Sequence, residues 1–117
     1  MQVLNVVFHI DEIKKWPLVL GNVKNFIKDI GEISYSIEIV VNAAAVMVFA
    51  VENEAMEVLL QEMETLNGQS VKISVCKNAL NANGLAEANL PRFVDIVSAG
   101  VTRLVILQTE GYVYIKP

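Results

Sequence analysis

The chain holds one cysteine, one histidine and one tryptophan in 117 residues, and each scarcity narrows what it can be. A lone cysteine closes no internal disulfide, so the disulfide-dense scaffold of small secreted domains is excluded. One histidine beside one cysteine makes no metal-ligand cluster, and neither a metal nor another cofactor is expected. Basic residues are also few: 9 Lys and Arg stand against 13 Asp and Glu, a formal net charge of −4. Phosphate backbones are bound by basic faces, so no nucleic-acid partner is expected. The longest uninterrupted apolar run, 43–51, falls short of the roughly 20 residues that span a bilayer. Met1-Gln2-Val3-Leu4 lacks the basic start of a targeting segment, and the expected location is cytoplasmic, with no membrane partner. There is no glycine-rich phosphate loop, dinucleotide fingerprint or nucleophile-elbow serine.

Apolar residues are plentiful. They make up 54% of the chain and charged residues 19%, a balance that a small domain hides poorly on its own. The length fits one domain over 1–117, and the apolar surplus predicts burial against other subunits.

The patterning alternates strands with helices. Val3–Phe8 reads as a strand ending at the polar turn His9-Ile10-Asp11-Glu12. Val19, Val23, Phe26, Ile27 and Ile30 recur at helical spacing from Trp16 to Ile30, with Pro17 suited to the first turn and Gly31 to the exit. Ser34–Val41 is a second strand, ended by Asn42. The segment 43–51 permits a short buried helix, which Val46, Val48 and Val51 weaken. A clearer helix runs from Glu54 to Leu66, closed by Asn67-Gly68, a pair suited to positive φ. Val71–Cys76 is a third strand and Ala79–Ala82 a helical turn. Val94–Val97, a helix opened by Gly100 and running to about Glu110, and Tyr112–Ile115 complete the chain. This order predicts an α/β fold with a largely parallel sheet covered on both faces. The doublets Val6-Val7 and Val40-Val41 suit strands buried on both sides.

Ligands of an open parallel sheet bind outside the carboxyl ends of its strands. The residues following the first four strand-like runs are His9, Asn42, Cys76 at its strand's very end, and Ser98. An imidazole, an amide, a thiol and a hydroxyl are thereby expected along one edge. Cys76 stands between a strand and a helical turn that begins beside Lys77 and Asn78. Unpaired N–H groups and the Lys77 cation there favour a negatively charged sulfur. Each residue also has a plainer reading: Cys76 as a small buried hydrophobe, His9 and Asn42 as turn residues, Ser98 as part of a helix cap. The glutamates from Glu52 to Glu64 read as a solvated helix face. Arg92 and Arg103 could clamp an anion, although single arginines on helices usually lie on the surface.

Several segments occur in the order of a known family. They are Val7-Phe8-His9-Ile10-Asp11-Glu12, Ile37-Glu38-Ile39-Val40, Val75-Cys76-Lys77-Asn78-Ala79-Leu80, Val97-Ser98-Ala99-Gly100-Val101 and Gln108–Pro117. Together they resemble the DsrE/DsrF-like family of small intracellular proteins. The resemblance implies a three-layer α/β/α sandwich with a mostly parallel five-stranded sheet, and homo-oligomers, often trimers or hexamers. It also implies that a cysteine after the third strand, here Cys76, carries persulfide sulfur to a partner thiol. His9 matches the histidine of the family's His-hydrophobic-Asp-Glu turn. Relatives often carry a glycine-containing turn after the second strand, where this chain reads Asn42-Ala43-Ala44-Ala45; alanine restricts positive φ.

Three functions are consistent with these residues. In the first, Cys76 is a sulfur carrier or sulfurtransferase nucleophile that hands sulfur to an acceptor protein or small thiol, with His9 moving a proton. In the second, the same crevice binds a small ligand through Asn42, Lys77, Asn78 and Ser98 without catalysis. In the third, the 43–51 segment packs against other chains in an assembly.

Overall fold

Five strands align in one parallel sheet in the order β4-β3-β2-β1-β5; the computed structural model describes residues 2–117. The strands are β1 (Val3–Ile10), β2 (Ser34–Val41), β3 (Val71–Cys76), β4 (Asp95–Val97) and β5 (Val113–Ile115). β1 to β4 advance in one direction across the sheet. Right-handed crossovers therefore put their helices on one face: α1 (Trp16–Ile30), α2 (Glu54–Gly68) and the short α3 (Lys77–Ala82). From β4 the chain returns across the whole sheet to β5. The same handedness then places α4 (Gly100–Thr109) on the opposite face. The result is a three-layer α/β/α sandwich, and its direction reverses at β4.

The two layers of core are unequal. Phe8, Ile10, Ile37, Ile39, Val41, Ile73 and Val75 face α1 and α2, where Trp16, Leu20, Val23, Met63 and Leu66 close over them. On the α4 side the buried apolar cluster among the described residues is Val7, Val40, Leu104 and Leu107, with Tyr112 packed against it. The parity of the strands puts Glu38 and Ser74 on this thinner side, and both are buried. Among the described residues no helix is long and apolar enough to cross a membrane.

Several boundaries differ from the sequence reading. His9 lies within β1, opposite Val40, because the β1–β2 ladder continues to Ile10↔Val41. The segment after β2 is a 3-10 helix, Ala43–Phe49, whose Ala45, Val46 and Val48 are fully buried in this chain's own core. Trp16 Nε1 donates to the Ala45 carbonyl at 3.0 Å and fixes it there. Its buried residues are thus covered by the chain's own fold, while Ala43, Ala44, Ala50 and Val51 remain exposed. Helix α2 runs through Gly68, and the positive φ that follows falls on Ser70 (70°). Gly31 (61°) and Gly111 (95°) do take the positive φ that ends α1 and α4.

Glu38 is 3% exposed in the middle of the sheet. An isolated carboxylate there would be prohibitive, and α4 supplies its partner. Arg103 donates from Nε and Nη2 to the two Glu38 oxygens, each at 2.7 Å, and Ser74 Oγ donates at 2.7 Å. Burial pushes the Glu38 carboxyl up. The hydrogen bonds from Arg103 and Ser74, and the charges of Arg103 and Lys72, outweigh it and hold the group below the ordinary 4.5. A carboxyl lowered on folding stabilises the fold above its unfolded value and loses that contribution as pH falls through the folded one. Urea unfolding should show stability declining below pH 4.5, with part of that slope absent in Glu38→Gln. At neutral pH Arg103→Leu strands the buried carboxylate and should cost about 3 kcal/mol, more than the double replacement Glu38→Leu/Arg103→Leu.

Candidate functional site

The reversal of direction at β4 marks a place in the sheet. β3 exits into α3 on one face and its neighbour β4 exits into α4 on the other. Adjacent strands that leave in opposite directions open a crevice at their carboxyl ends. Cys76 is the last residue of β3 and the N-cap of α3. Its Sγ accepts the Ala79 N–H at 3.4 Å, as a capping oxygen would. The residue is 6% exposed.

Across the crevice, α4 begins after Ala99 with no side chain capping it. Its first N–H groups are thus not satisfied by a capping side chain at the strand-end edge. Gly100 opens this helix in close contact with two of the expected site residues. A Cβ on Gly100 would lie 3.1 Å from Asn42 Cβ, 3.3 Å from Cys76 Cβ and 3.5 Å from Asn42 Nδ2. The missing side chain lets the α4 backbone meet Asn42 and Cys76 together. Arg103, one turn further along, is held by Glu38, so the buried ion pair fixes the helix end that packs on Asn42 and Cys76 Cβ.

Asn42 joins His9 to this group. His9 Nε2 donates to Asn42 Oδ1 at 2.9 Å, and Nδ1 lies 2.6 Å from the Tyr114 hydroxyl. Oδ1 only accepts, so Nε2 carries a proton in this contact, and the Tyr114 hydroxyl faces the other ring nitrogen. Both ring nitrogens are engaged, and neither contacts Cys76.

Of the residues expected from sequence, Cys76 and Asn42 meet around Gly100, and His9 joins through Asn42. Lys77 and Asn78 lie exposed on the first turn of α3, and Lys77 Nζ is 3.8 Å from Glu87 Oε1. Ser98 is exposed and lines a shallow hollow of about 240 Å³ with Thr102 and Arg103. A larger hollow of about 710 Å³, between α1 and β5, is floored by Phe8, Phe26 and Ile115 and includes none of these residues. Among the described residues no group of three or more His, Cys, Asp or Glu is placed to hold a metal ion.

Gly100, Tyr114 and the Glu38–Arg103 pair escaped the sequence reading. Glu38 carried a usable signal, because a charge inside Ile37-Glu38-Ile39-Val40-Val41 demands a buried partner. The turn after β2 also resolves. Ala43 takes φ +49°, a left-handed conformation that glycine adopts without strain, so the alanine is strained there.

The sequence profile of the DsrE/DsrF-like family matches residues 2–117. Among solved structures, the chain is similar to a protein of unknown function, MTH1491, from Methanobacterium thermoautotrophicum. The two share 38% identity at a TM-score of 0.84, covering 97% of this chain and 99% of that one. No curated protein matches.

Two substitutions test this geometry by urea unfolding. Gly100→Ala drives a methyl against two Cβ atoms that move only with their backbones, and should destabilise by about 1–3 kcal/mol. Ala43→Gly relieves the left-handed strain and should stabilise by about 1 kcal/mol.

Proposed function

The chain belongs to the DsrE/DsrF-like family, and on that premise we propose that it carries sulfane sulfur as a persulfide on Cys76. The observation that carries this reading is the setting of the thiol at the crevice where β3 and β4 part. There an N–H of α3 is directed at Sγ, and the uncapped start of α4 lies alongside. Backbone donors and helix amino ends stabilise negative sulfur, the reactive form in thiol exchange. The Cys76 thiolate attacks the outer sulfur of a donor persulfide, forming a new S–S bond as the donor's S–S bond breaks. The donor leaves as a thiol. In the reverse sense, an acceptor thiolate takes the outer sulfur from Cys76 and restores its thiolate. No net oxidation or reduction occurs. With no second cysteine in the chain, the acceptor is another protein or a small thiol.

A thiol exposed by 6% suits a small electrophile arriving end-on, such as a hydropersulfide, better than a bulky one. The same burial favours a second reading, a crevice that binds a small ligand without covalent chemistry. In either case we propose a homo-oligomer. Val101 and Val105 on α4 and Val113 on β5 stand 67%, 58% and 61% exposed, and apolar surface of this kind suits contact with further copies. Exchange of this type also suits the reducing cytoplasm.

The test is incubation with glutathione persulfide, read by intact mass. The expected result is one added sulfur on the wild type, none on Cys76→Ser, and its loss to an acceptor thiol. A wild-type protein that takes up no sulfur overturns the reading. Thermal stabilisation by a metabolite that survives Cys76→Ala would then establish the binding module. Methyl methanethiosulfonate should label native Cys76 at least tenfold faster than 5,5′-dithiobis(2-nitrobenzoate), relative to their rates with free cysteine.

A further inference from the structure

We infer that Asn42 is the side-chain hydrogen-bond donor to the outer sulfur carried on Cys76, and that His9 is the positioning residue that aims it. This inference rests on the persulfide reading above.

An asparagine amide has two chemically opposite ends, and its usefulness to an anion depends on which end faces it. The His9 Nε2–H takes the Oδ1 end of Asn42 at 2.9 Å. Oδ1 being held, the amide's two N–H donors are directed away from the imidazole. Nδ2 lies 3.5 Å from the Cβ position of Gly100, a point that is itself 3.3 Å from Cys76 Cβ. The donor end and the thiol-bearing carbon therefore border the same spot. Among the described residues no protein acceptor takes the Nδ2 protons, whereas Oδ1 is engaged. His9 is in turn held by the Tyr114 hydroxyl, 2.6 Å from Nδ1, which leaves Nε2 facing Asn42 Oδ1.

The chemistry calls for such a donor once sulfur is loaded. The Cys76 thiolate and glutathione persulfide give a Cys76 perthiolate and glutathione. The Sγ–S bond forms, the glutathione S–S bond breaks, and the proton on the outer sulfur passes to the departing glutathione sulfur. The negative charge, first on Sγ, ends on the outer sulfur, one bond further out. The Ala79 N–H serves Sγ at 3.4 Å, and the charge on the outer sulfur needs a donor of its own. A charge-assisted hydrogen bond is strong enough to shift an exchange equilibrium by tenfold or more. In this arrangement His9 does not carry a proton to or from Cys76.

The experiment measures the equilibrium distribution of sulfur between Cys76 and glutathione by intact mass. Wild type is compared with Asn42→Ala, His9→Leu and His9→Gln, in which the glutamine amide keeps an N–H near the Nε2 position. The iodoacetamide alkylation rate of the unloaded thiol is measured in parallel. The expected result is a shift toward glutathione of at least tenfold in Asn42→Ala and His9→Leu, with His9→Gln recovering most of it. Alkylation, which places no charge on an outer sulfur, should change less than threefold in every variant. An unchanged equilibrium in Asn42→Ala or His9→Leu overturns the inference while the carrier function stands. Equilibrium and alkylation falling together, with no rescue by His9→Gln, also overturn it, since a loosened fold would do the same. Failure of the wild type to load sulfur overturns the carrier function itself.

Discussion

A carboxylate in the middle of a buried sheet must have a cation, and in this protein that requirement organises the thinner half of the fold. Glu38 sits on β2 among apolar neighbours, and Arg103 reaches it from the first turns of α4 with a two-pronged contact. Few apolar residues hold α4 to the sheet: Leu104 and Leu107 against Val7 and Val40. The ion pair supplies the register that this small contact specifies poorly, since a slide of α4 by one turn would leave Glu38 unpaired. What depends on that register is the start of the helix, where Gly100 touches Asn42 and Cys76. Stability and site geometry thus rest on the same pair of side chains.

The location of the site follows from topology. Right-handed crossovers keep α1, α2 and α3 on one face for as long as the strands advance, and force α4 to the other once the chain doubles back. The crevice between β3 and β4 is the place where the two connections diverge, and β3 ends there in the chain's one cysteine. β5 enters from the far edge beside β1 and brings Tyr114 onto His9. The polar groups along the edge therefore form a chain of contacts, Tyr114 to His9 to Asn42, ending at the start of α4 where Cys76 Cβ also packs.

Much of this was legible in the sequence, for physical reasons. The helix Trp16–Ile30 announced itself through a clean apolar period with Pro17 and Gly31 at its ends, and its bounds agree with the structure. Cys76 at the end of its strand and Asn42 after its own were also legible, since apolar runs stop where the sheet stops. His9 misled because a polar residue after Val7-Phe8 looks like a turn, whereas the ladder to β2 holds it inside the strand. The 43–51 segment was only half legible, because an apolar run carries no label for what covers it; here Trp16 and the chain's own core cover Ala45, Val46 and Val48. Contacts such as Arg103 with Glu38 and Gly100 with Cys76 link residues far apart in sequence, and no local pattern encodes them. MTH1491, a solved structure of similar fold, is a protein of unknown function, so the reading of the site rests on family membership and on the chemistry around Cys76.

The measurement that bears most directly on this account is a crystal structure of the protein after loading with a persulfide donor. The account predicts an added sulfur on Cys76 Sγ, lying within hydrogen-bonding distance of Asn42 Nδ2 at the start of α4, with the His9–Asn42 contact intact. An unmodified Cys76 side chain under conditions that load glutathione, or an outer sulfur turned away from Asn42 and Gly100, would contradict it.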